Sequence, residues 1–589
     1  MSELRKIINN TLISLVGQLV TWTSTLGLTI AYGRFLGDVK FGELYFATMF
    51  VGLIGFPVEF GFNQQLTRDV ATDPEKAHAY LWNTLLIKMT LWITLYGGIL
   101  LTAKGLGYSQ EQWDLVAICG VNLMVGSVVS TFAALHYAFS RTVFPSVGMM
   151  IEKGLDAVVG FILLKNGASV QTMAFVLLGG SIIDGIWVAL WFFRLTGWRL
   201  TFDRVIIIDL FRSSIPFVAY GILGVIYYRI DTVLLSLMAN TAVVGWYGAG
   251  YRLFDTLLFV PNLIINAIMY PIFAKLSTNA RSQSTLKLAI EKSMNLLLIC
   301  SIPIATLMIV GAPNIIGFLY HRAEFANSIP VLQALAPGLV FLYINTLLSS
   351  IIVSTKGEKK IPLMAAIALV FNLGTNLLLI PLYKQVGAAL VTSLTELLLL
   401  CTSMVIIQKQ LLPGKSIRVA SKALVSALVM AAAIYLLRSL SILFITPVAF
   451  LAYAGSAFLL RTIPREDMQF LLKAVKNKGK KKGISVELLA NIVDENIYDQ
   501  ITNPYLPAVY GQTTDYHLSI VNARTVRLEA LVAERDDDIT LLLPVVKIRK
   551  ARPKMILEDD DPTLEISAVK TRKVPTVQSR ETQPEVVRE

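Results

Sequence analysis

The chain has 589 residues, of which 55% are hydrophobic and only 16% are charged. A soluble protein of this size has about a quarter of its residues charged, so the composition excludes an ordinary soluble domain. The apolar residues form blocks of about 20–25, the length that an α-helix needs to cross a bilayer, and this predicts an all-α polytopic membrane protein. Lysines and arginines beside anionic lipid explain the net charge of +12, so no nucleic-acid partner is predicted.

About fourteen apolar blocks follow one another, and each is predicted to form one transmembrane helix. An even number of spans places both termini on the same side. Loops on the side of the N-terminus hold roughly nineteen Lys and Arg residues, against seven in the opposite loops, so both termini are predicted to be cytoplasmic in a multi-pass cell-membrane protein. The predicted spans are 8–32, 41–63, 79–103, 113–138, 144–165, 170–193, 210–236, 243–274, 288–311, 327–354, 361–381, 386–408, 417–437 and 441–461.

The tail that follows the last span differs in composition from the rest of the chain. Residues 473–482, KAVKNKGKKK, form a basic run that is predicted to lie on anionic headgroups, with a solvated linker as the alternative. Acidic and basic patches then alternate, with scattered prolines. Residues 462–589 are therefore predicted to form a cytoplasmic, largely disordered tail, with a small folded domain as the alternative.

The two halves of the chain resemble each other at an offset of about 200 residues. Gly42, after the first span, aligns with Gly245, after the seventh, and Pro145…Asp156 parallels Pro362…Asn372. A repeat of six helices keeps the same orientation, which predicts two parallel lobes with the substrate between them. The predicted division is a first lobe at 1–200, a second lobe at 205–412 and two additional helices at 413–461.

Charged side chains inside the predicted spans are the main functional candidates, because charge is costly in lipid. Lys88 lies about 13 Å into its span, with no acid within a helical turn. Three interpretations are open for it: a phosphate ligand in a cavity, a partner for an acid on another helix, or snorkelling. Lys153–Asp156 and Arg252–Asp255 have i,i+3 spacing, which favours pairing along one helix as much as a substrate role.

Other polar residues within the spans have two interpretations each. Arg229 and Asp231 are two residues apart and lie on different helix faces, so they are not partners; Arg229 either faces a cavity or snorkels. Asn372 and Asn376, at i,i+4, either bind sugar hydroxyls or connect helices.

Two acids and a polar pair complete the candidates. Asp184 and Glu396 lie near mid-span and are candidates for coupling to protons or sodium, with a neutral hydrogen-bonded acid as the alternative. Glu59 and Asn63, at the cytoplasmic end of the second span, are candidate gate residues.

Two segments carry a family resemblance. One is YRIDTVLL at 228–235 followed by VGWYGAGYRL at 244–253, and the other is FNLGTNLLLIPLYKQVGAAL at 371–390. Over residues 1–461 the chain resembles the multidrug/oligosaccharidyl-lipid/polysaccharide exporter superfamily, specifically its Wzx-like oligosaccharide flippases.

The resemblance implies a two-lobed, cation-lined cavity that moves an undecaprenyl-pyrophosphate-linked glycan between leaflets for polysaccharide export. It implies alternating access, with membrane lipids around the protein and polysaccharide polymerase or glycosyltransferase machinery as possible partners. A pyrophosphate needs cations to cross hydrocarbon, and a sugar needs hydroxyl or amide groups. The candidate cavity residues are Lys88, Lys153, Asp156, Arg229, Asp231, Arg252, Asp255, Asn372 and Asn376.

Four alternatives remain open at this point. A drug or metabolite/cation antiporter and a peptidoglycan-precursor flippase belong to the same superfamily. A membrane glycan polymerase or ligase is less well supported, because the outward loops are short. The fourth is a scaffold whose tail recruits a partner. The sequence contains no paired catalytic carboxylates, nucleophile motif or phosphate-binding glycine loop, and its three cysteines lack metal-type spacing. The protein is therefore predicted not to be an enzyme and to need no cofactor or metal.

Overall fold

A computed structural model describes residues 2–59, 61–278, 283–355 and 357–462, and within these ranges the chain forms helices and turns without a β-strand. A π-helix, Asn262–Met269, separates α10 from α11. The tail predicted from residue 462 onward lies outside the described residues, apart from Thr462. The helices are α1 Ser2–Ile54, α2 Phe56–Glu59, α3 Phe62–Thr72, α4 Ala77–Gly105, α5 Gln110–Ala138, α6 Val143–Lys165, α7 Val170–Thr196, α8 Arg204–Met238, α9 Thr241–Thr256, α10 Phe259–Pro261, α11 Tyr270–Ser277, α12 Gln283–Val310, α13 Ala312–Tyr320, α14 Ile329–Ser354, α15 Ile361–Ile406, α16 Ser416–Leu436 and α17 Ile442–Leu459.

The described residues include nine helices that are long and apolar enough to cross a membrane, and a bent pair within residues 16–72 makes a tenth. Each predicted span is helical over most of its length. Spans 8–32 and 41–63 are joined across the kink of α1, spans 361–381 and 386–408 across the kink of α15, and span 243–274 is divided among α9, α10, the π-helix and α11. The prediction of an all-α polytopic membrane protein is confirmed.

Backbone breaks separate these joined spans. Gly37, with a φ of 81°, interrupts α1, and this conformation is readily adopted by glycine. Lys384, with a φ of 50°, interrupts α15 just after Pro381. The second span breaks again before Gly61, which begins α3 in the left-handed conformation, and the chain bends there by 54°. The second span is therefore discontinuous near its end.

Side-chain caps define several helix starts. Ser109 and Gln112 form a reciprocal capping box at the start of α5, and Asn240 Oδ1 accepts a hydrogen bond of 3.0 Å from the Val243 amide at the start of α9. These bonds satisfy amides that the helix itself leaves unpaired. The turns before α5 and α9 thus lie where polar residues interrupt the apolar sequence.

Helix packing explains why α1 is central. It packs on α5 and α6 and also on α8 and α9, so it contacts helices from both halves of the sequence. In the second half, α14 packs on α12 and α15, while α15 also packs on α8. Helices α16 and α17 pack on each other and on α12. The lobe boundaries at residues 200 and 412 stay predictions.

The two halves approach each other closely at the end opposite the N-terminus. A Cβ on Gly42 would lie 2.0 Å from the carbonyl oxygen of Thr241, and one on Gly245 would lie 2.1 Å from that of Asp38. Any larger side chain would force the helices apart, so glycine is required for this approach. The two glycines that align in the sequence repeat therefore meet at this interface.

Two arginines hold the same end together. The Arg34 guanidinium donates to the carbonyl of Phe318 at 2.6 Å and to that of Leu319. Arg322 donates in return to the carbonyls of Arg34 at 2.7 Å and Phe35 at 3.2 Å. We call this the arginine clasp. It connects α1 to the end of α13 and closes the end of the bundle opposite the N-terminus.

Candidate functional site

A cavity of about 190 Å³ lies beside α1, where α1 packs between α6 and α9. Both halves of the kinked α1 contribute to its lining, together with residues from α5, α6, α7 and α9. The lining residues are Ser24, Thr25, Leu28, Thr29, Tyr32, Phe41, Leu44, Tyr45, Thr48, Asn122, Lys153, Asp156, Leu177 and Arg252.

Three of the predicted cavity residues line this cavity, namely Lys153, Asp156 and Arg252. Lys153 Nζ lies 3.7 Å from Asp156 Oδ2, and an Arg252 terminal nitrogen lies 3.7 Å from Asp255 Oδ2. Both i,i+3 pairs therefore exist, but at distances longer than a hydrogen bond. Each cation keeps 30% of its side chain exposed. Two cations and one carboxylate thus line the cavity, and each cation has a carboxylate of its own helix nearby.

Several buried polar atoms in the lining have no hydrogen-bond partner among the described residues. They are the Tyr32 hydroxyl, Asn122 Oδ1, both carboxylate oxygens of Asp156, and Arg252 Nε. More than 90% of buried polar groups in proteins are hydrogen-bonded, so such a concentration needs an explanation.

Packing contacts lie on two sides of the cavity. The glycine contact and the arginine clasp lie towards the end opposite the N-terminus. On the other side, Trp22 of α1 packs edge-on against Phe259, with ring centroids 4.2 Å apart. Drug-sized ligand pockets occupy about 300–1,000 Å³. The cavity in this conformation is therefore large enough for a head-group fragment and too small for an oligosaccharide.

Lys88 lies outside this cavity, in a separate buried network. Its ammonium group contacts Glu59 Oε2 at 3.4 Å and donates to Asn63 Oδ1 at 3.1 Å and to the Ser127 carbonyl at 3.2 Å. The Ser130 hydroxyl lies 3.3 Å from the same nitrogen and donates to Glu59 at 3.0 Å. Lys88 is 0% exposed, whereas Glu59 is 34% exposed. Lys88 is therefore the partner of an acid on another helix in this conformation, which was one of its three interpretations. It contacts both candidate gate residues, Glu59 and Asn63.

Arg229 and Asp231 do not pair with each other, as predicted from their spacing. A terminal nitrogen of Arg229 lies 2.7 Å from Met49 Sδ on α1. Asp231 accepts hydrogen bonds from the Tyr247 hydroxyl and, at 2.9 Å, from the Thr232 amide. Neither residue lines the cavity in this conformation, and their predicted substrate role stays a prediction.

The polar residues of α15 form hydrogen-bonded helix contacts. Glu396 accepts from the Tyr227 hydroxyl at 2.7 Å and from Asn345 Nδ2 at 2.7 Å. Asn372 donates to the Thr395 hydroxyl at 3.3 Å, and Asn376 donates to Asn372 at 2.9 Å. These amides are buried, and their printed contacts lie within α15, one of them across its kink.

Asp184 is also buried, against the neighbouring helix. A Cβ on Gly148 of α6 would lie 2.1 Å from Asp184 Oδ1, which shows that the carboxylate fills the space above that glycine. Asp156 packs in the same way against Gly180 of α7, where a Cβ would lie 2.0 Å from Asp156 Oδ1. Each of the two helices therefore packs a carboxylate against a glycine of the other helix.

Two features of the site were not identified from the sequence. Glu152 Oε1 lies 2.6 Å from Lys153 Nζ and accepts from the Ser181 hydroxyl at 3.0 Å. The other is Tyr32, whose side chain lines the cavity and whose buried hydroxyl has no partner among the described residues. The signal for Tyr32 was present in the sequence, because Ser24, Thr25, Thr29 and Tyr32 place hydroxyl groups on one face of an otherwise apolar span.

Comparison with known proteins shows which families this chain resembles. Residues 7–277 match the family described as polysaccharide biosynthesis protein. A solved structure of the lipid II flippase MurJ in an inward closed conformation superposes with a TM-score of 0.65 at 16% identity, covering 77% of this chain and 99% of that one. The family match and the fold agree with the resemblance to the multidrug/oligosaccharidyl-lipid/polysaccharide exporter superfamily. The resemblance inferred from the sequence is confirmed, and these transporter relatives agree with the prediction that the protein is not an enzyme.

Two further relatives agree with this assignment. The chain is 21% identical over 378 residues to the "Probable low-salt glycan biosynthesis flippase Agl15" of Haloferax volcanii, an alignment that covers 63% of this chain and 76% of the relative. An inward-facing multidrug resistance MATE transporter of the same superfamily superposes with a TM-score of 0.54 at 14% identity, covering 66% of this chain and 94% of that one. Together with the family match, the glycan flippase relative supports the oligosaccharide-flippase branch.

Proposed function

We propose that this exporter flips a lipid-linked oligosaccharide, of the undecaprenyl-pyrophosphate type, across the cytoplasmic membrane for polysaccharide export. The single observation that carries the proposal is the cavity between the sequence halves, where two cations, Lys153 and Arg252, accompany unpartnered buried polar atoms. A pyrophosphate requires cations and a sugar requires hydrogen-bonding groups, while the polyprenyl chain stays in the lipid. The family match and the glycan flippase relative support the same substrate class.

The proposed mechanism is alternating access between two lobes, 1–200 and 205–412. In the observed conformation the end opposite the N-terminus is closed by Gly42, Gly245 and the arginine clasp. With both termini cytoplasmic, as the distribution of Lys and Arg predicts, this end faces outward and the substrate approaches from the cytoplasmic side. Opening of the outer end then requires the glycine contact and the clasp to separate.

The functional test is reconstitution of the full chain into vesicles with a fluorescent lipid-linked oligosaccharide. A membrane-impermeant quencher added outside reports the fraction of glycan that has crossed. Replacing both cations, as Lys153→Gln with Arg252→Gln, is expected to reduce flipping at least tenfold, because a charge-assisted hydrogen bond contributes about 1.5–3 kcal/mol. Lys104→Met, which removes an exposed lysine of α4, is the matched control. Equal flipping by all three proteins would refute the assignment of the cavity.

We also propose that flipping is coupled to a proton or sodium gradient through Asp184 or Glu396, since buried carboxylates bind protons more readily than exposed ones. Collapsing the gradient with an ionophore is expected to slow flipping, and Asp184→Asn or Glu396→Gln is expected to remove that sensitivity. An unchanged rate after addition of the ionophore would refute the coupling and leave the flipping itself intact. Polymerase or glycosyltransferase machinery is proposed as the partner that uses the flipped glycan.

A further inference from the structure

The segment that connects α7 to α8 is exposed, yet its path is fixed. Residues 197–203, which we call the lobe linker because they join the two predicted lobes, contain no helix, turn or bend. Three side chains at the start of α4 bind its backbone at 2.8–3.2 Å, namely His78 at the Gly197 carbonyl, Trp82 at the Arg199 carbonyl and Asn83 at the Asp203 amide. Because these backbone groups are paired within the protein, the side chains are what the lobe linker presents to its surroundings.

The lobe linker exposes three large apolar side chains. Trp198, Leu200 and Phe202 keep 66%, 63% and 57% of their surface accessible. They alternate with polar residues, and residues two apart in an extended chain point to the same side. Phe193 of α7 packs on Trp198 with ring centroids 4.3 Å apart, which orients the indole without covering it. The three side chains therefore form one apolar edge.

Exposed arginines accompany this apolar edge. Arg199 lies within the lobe linker, Arg194 precedes it near the end of α7, and Arg204 begins α8. All three are exposed, and in the described part of the chain none of them forms an ion pair with a carboxylate. The acid of the lobe linker, Asp203, accepts a hydrogen bond of 2.8 Å from the Val205 amide. The surface is therefore both apolar and positively charged.

The position of this surface indicates its partner. The predicted spans on either side end at residue 193 and begin at residue 210, so the lobe linker lies at their boundary with water, on the side of the N-terminus. Leu195 and Val205, beside it on α7 and α8, are also exposed, so the apolar edge continues onto the predicted membrane helices. Aromatic rings concentrate at the headgroup level of a bilayer, and anionic headgroups attract arginines there. A soluble acidic partner would match the arginines only.

We propose that the lobe linker binds anionic phospholipid of the leaflet that it faces. Trp198, Leu200 and Phe202 enter the boundary between headgroups and acyl chains, and Arg199 and Arg204 donate to lipid phosphates, which the planar guanidinium binds with two parallel hydrogen bonds. This interaction places a lipid contact on the chain that joins the two predicted lobes. It involves a surface outside the central cavity and does not depend on the substrate that the protein moves.

Spin labels test how the lobe linker is oriented. Leu200→Cys and Thr201→Cys, each in a protein whose own three cysteines are replaced by alanine, carry the label in nanodiscs that contain phosphatidylglycerol. The label at position 200 is expected to collide more often with oxygen, which concentrates in lipid, than with a water-soluble nickel chelate, and the label at position 201 is expected to do the reverse. A preference for the nickel chelate at both positions would overturn the proposal. A label at position 200 that neither reagent reaches would show that protein covers the apolar edge, and would overturn it as well.

Fluorescence quenching tests the role of charge in a protein that keeps its cysteines. Phosphatidylglycerol with brominated acyl chains is added to the full chain in neutral micelles, and the emission of Trp198 is taken as the difference from Trp198→Phe in the same background. Arg199→Gln and Arg204→Gln are each expected to raise the lipid concentration for half-maximal quenching about fivefold, the contribution of one arginine near an anionic surface.

Lys287→Gln is the matched control for the loss of one charge. Lys287 is exposed on α12, which packs mainly on α14 and α16, and this variant is expected to be quenched like the wild type. Quenching of Trp198 that is as strong with brominated phosphatidylcholine, or that is unchanged in both arginine variants, would overturn the binding of anionic lipid. Neither measurement involves the transported glycan, so these results are independent of the proposed function.

Discussion

The buried Lys88 network leads to the prediction that Lys88 acts on stability and not on substrate binding. Lys88→Met keeps most of the side-chain volume but removes the ammonium that contacts Glu59, Asn63 and two oxygens of α5. Removing one partner of a buried ion pair costs about 3–5 kcal/mol. Here the cost is expected to be lower, about 2–3 kcal/mol, because Glu59 is 34% exposed and keeps hydrogen bonds from Asn63 and Ser130.

The assay combines unfolding of the purified protein in detergent with flipping per folded molecule. Adding Glu59→Gln to Lys88→Met is expected to recover part of the lost stability, because it removes the carboxylate that has lost its counter-charge. Lys104→Met, on the same helix but exposed, is expected to change the free energy of unfolding by less than about 0.5 kcal/mol. Wild-type stability together with abolished flipping in Lys88→Met would refute this reasoning and place Lys88 in contact with the substrate.

Three further predictions concern the closed end and the buried acid of α15. Gly42→Val is expected to widen the interface at the closed end, measured as a longer spin-label distance between α1 and α9, since a Cβ there would lie 2.0 Å from a carbonyl oxygen; an unchanged distance would contradict the closure described for this end. Arg34→Gln with Arg322→Gln is expected to increase labelling, by a membrane-impermeant thiol reagent added outside, of a cysteine introduced into the cavity lining, and protection equal to that of the unmodified clasp would show that the clasp is dispensable. Tyr227→Phe is expected to lower the free energy of unfolding by about 1–2 kcal/mol, because it removes a 2.7 Å hydrogen bond to buried Glu396. An unchanged free energy of unfolding would argue that Asn345 alone satisfies that acid.

The sequence was sufficient to predict the architecture for a physical reason. A bilayer requires continuous apolar helices of a fixed length, and this requirement is visible in the sequence as blocks of residues. The i,i+3 pairs at Lys153 and Arg252 were predictable in the same way, because both partners lie on one helix whose geometry is known.

Contacts between helices were not predictable from these rules. The partner of Lys88 comes from a broken span about 30 residues earlier, and only the packing of α2 and α3 brings Glu59 to it. Adjacent residues on a helix do not normally face each other, so the contact of Lys153 with Glu152 was not expected, although the lysine side chain is long enough to reach sideways. Tyr32 was overlooked because a tyrosine in an apolar span is usually part of the packing.

The most direct test of the account is flipping of a fluorescent lipid-linked oligosaccharide by the reconstituted full chain. Flipping is expected to be faster than in protein-free vesicles, to fall at least tenfold when Lys153 and Arg252 are both replaced by glutamine, and to stay unchanged in Lys104→Met. Flipping by the wild type at the rate of protein-free vesicles would contradict the central claim.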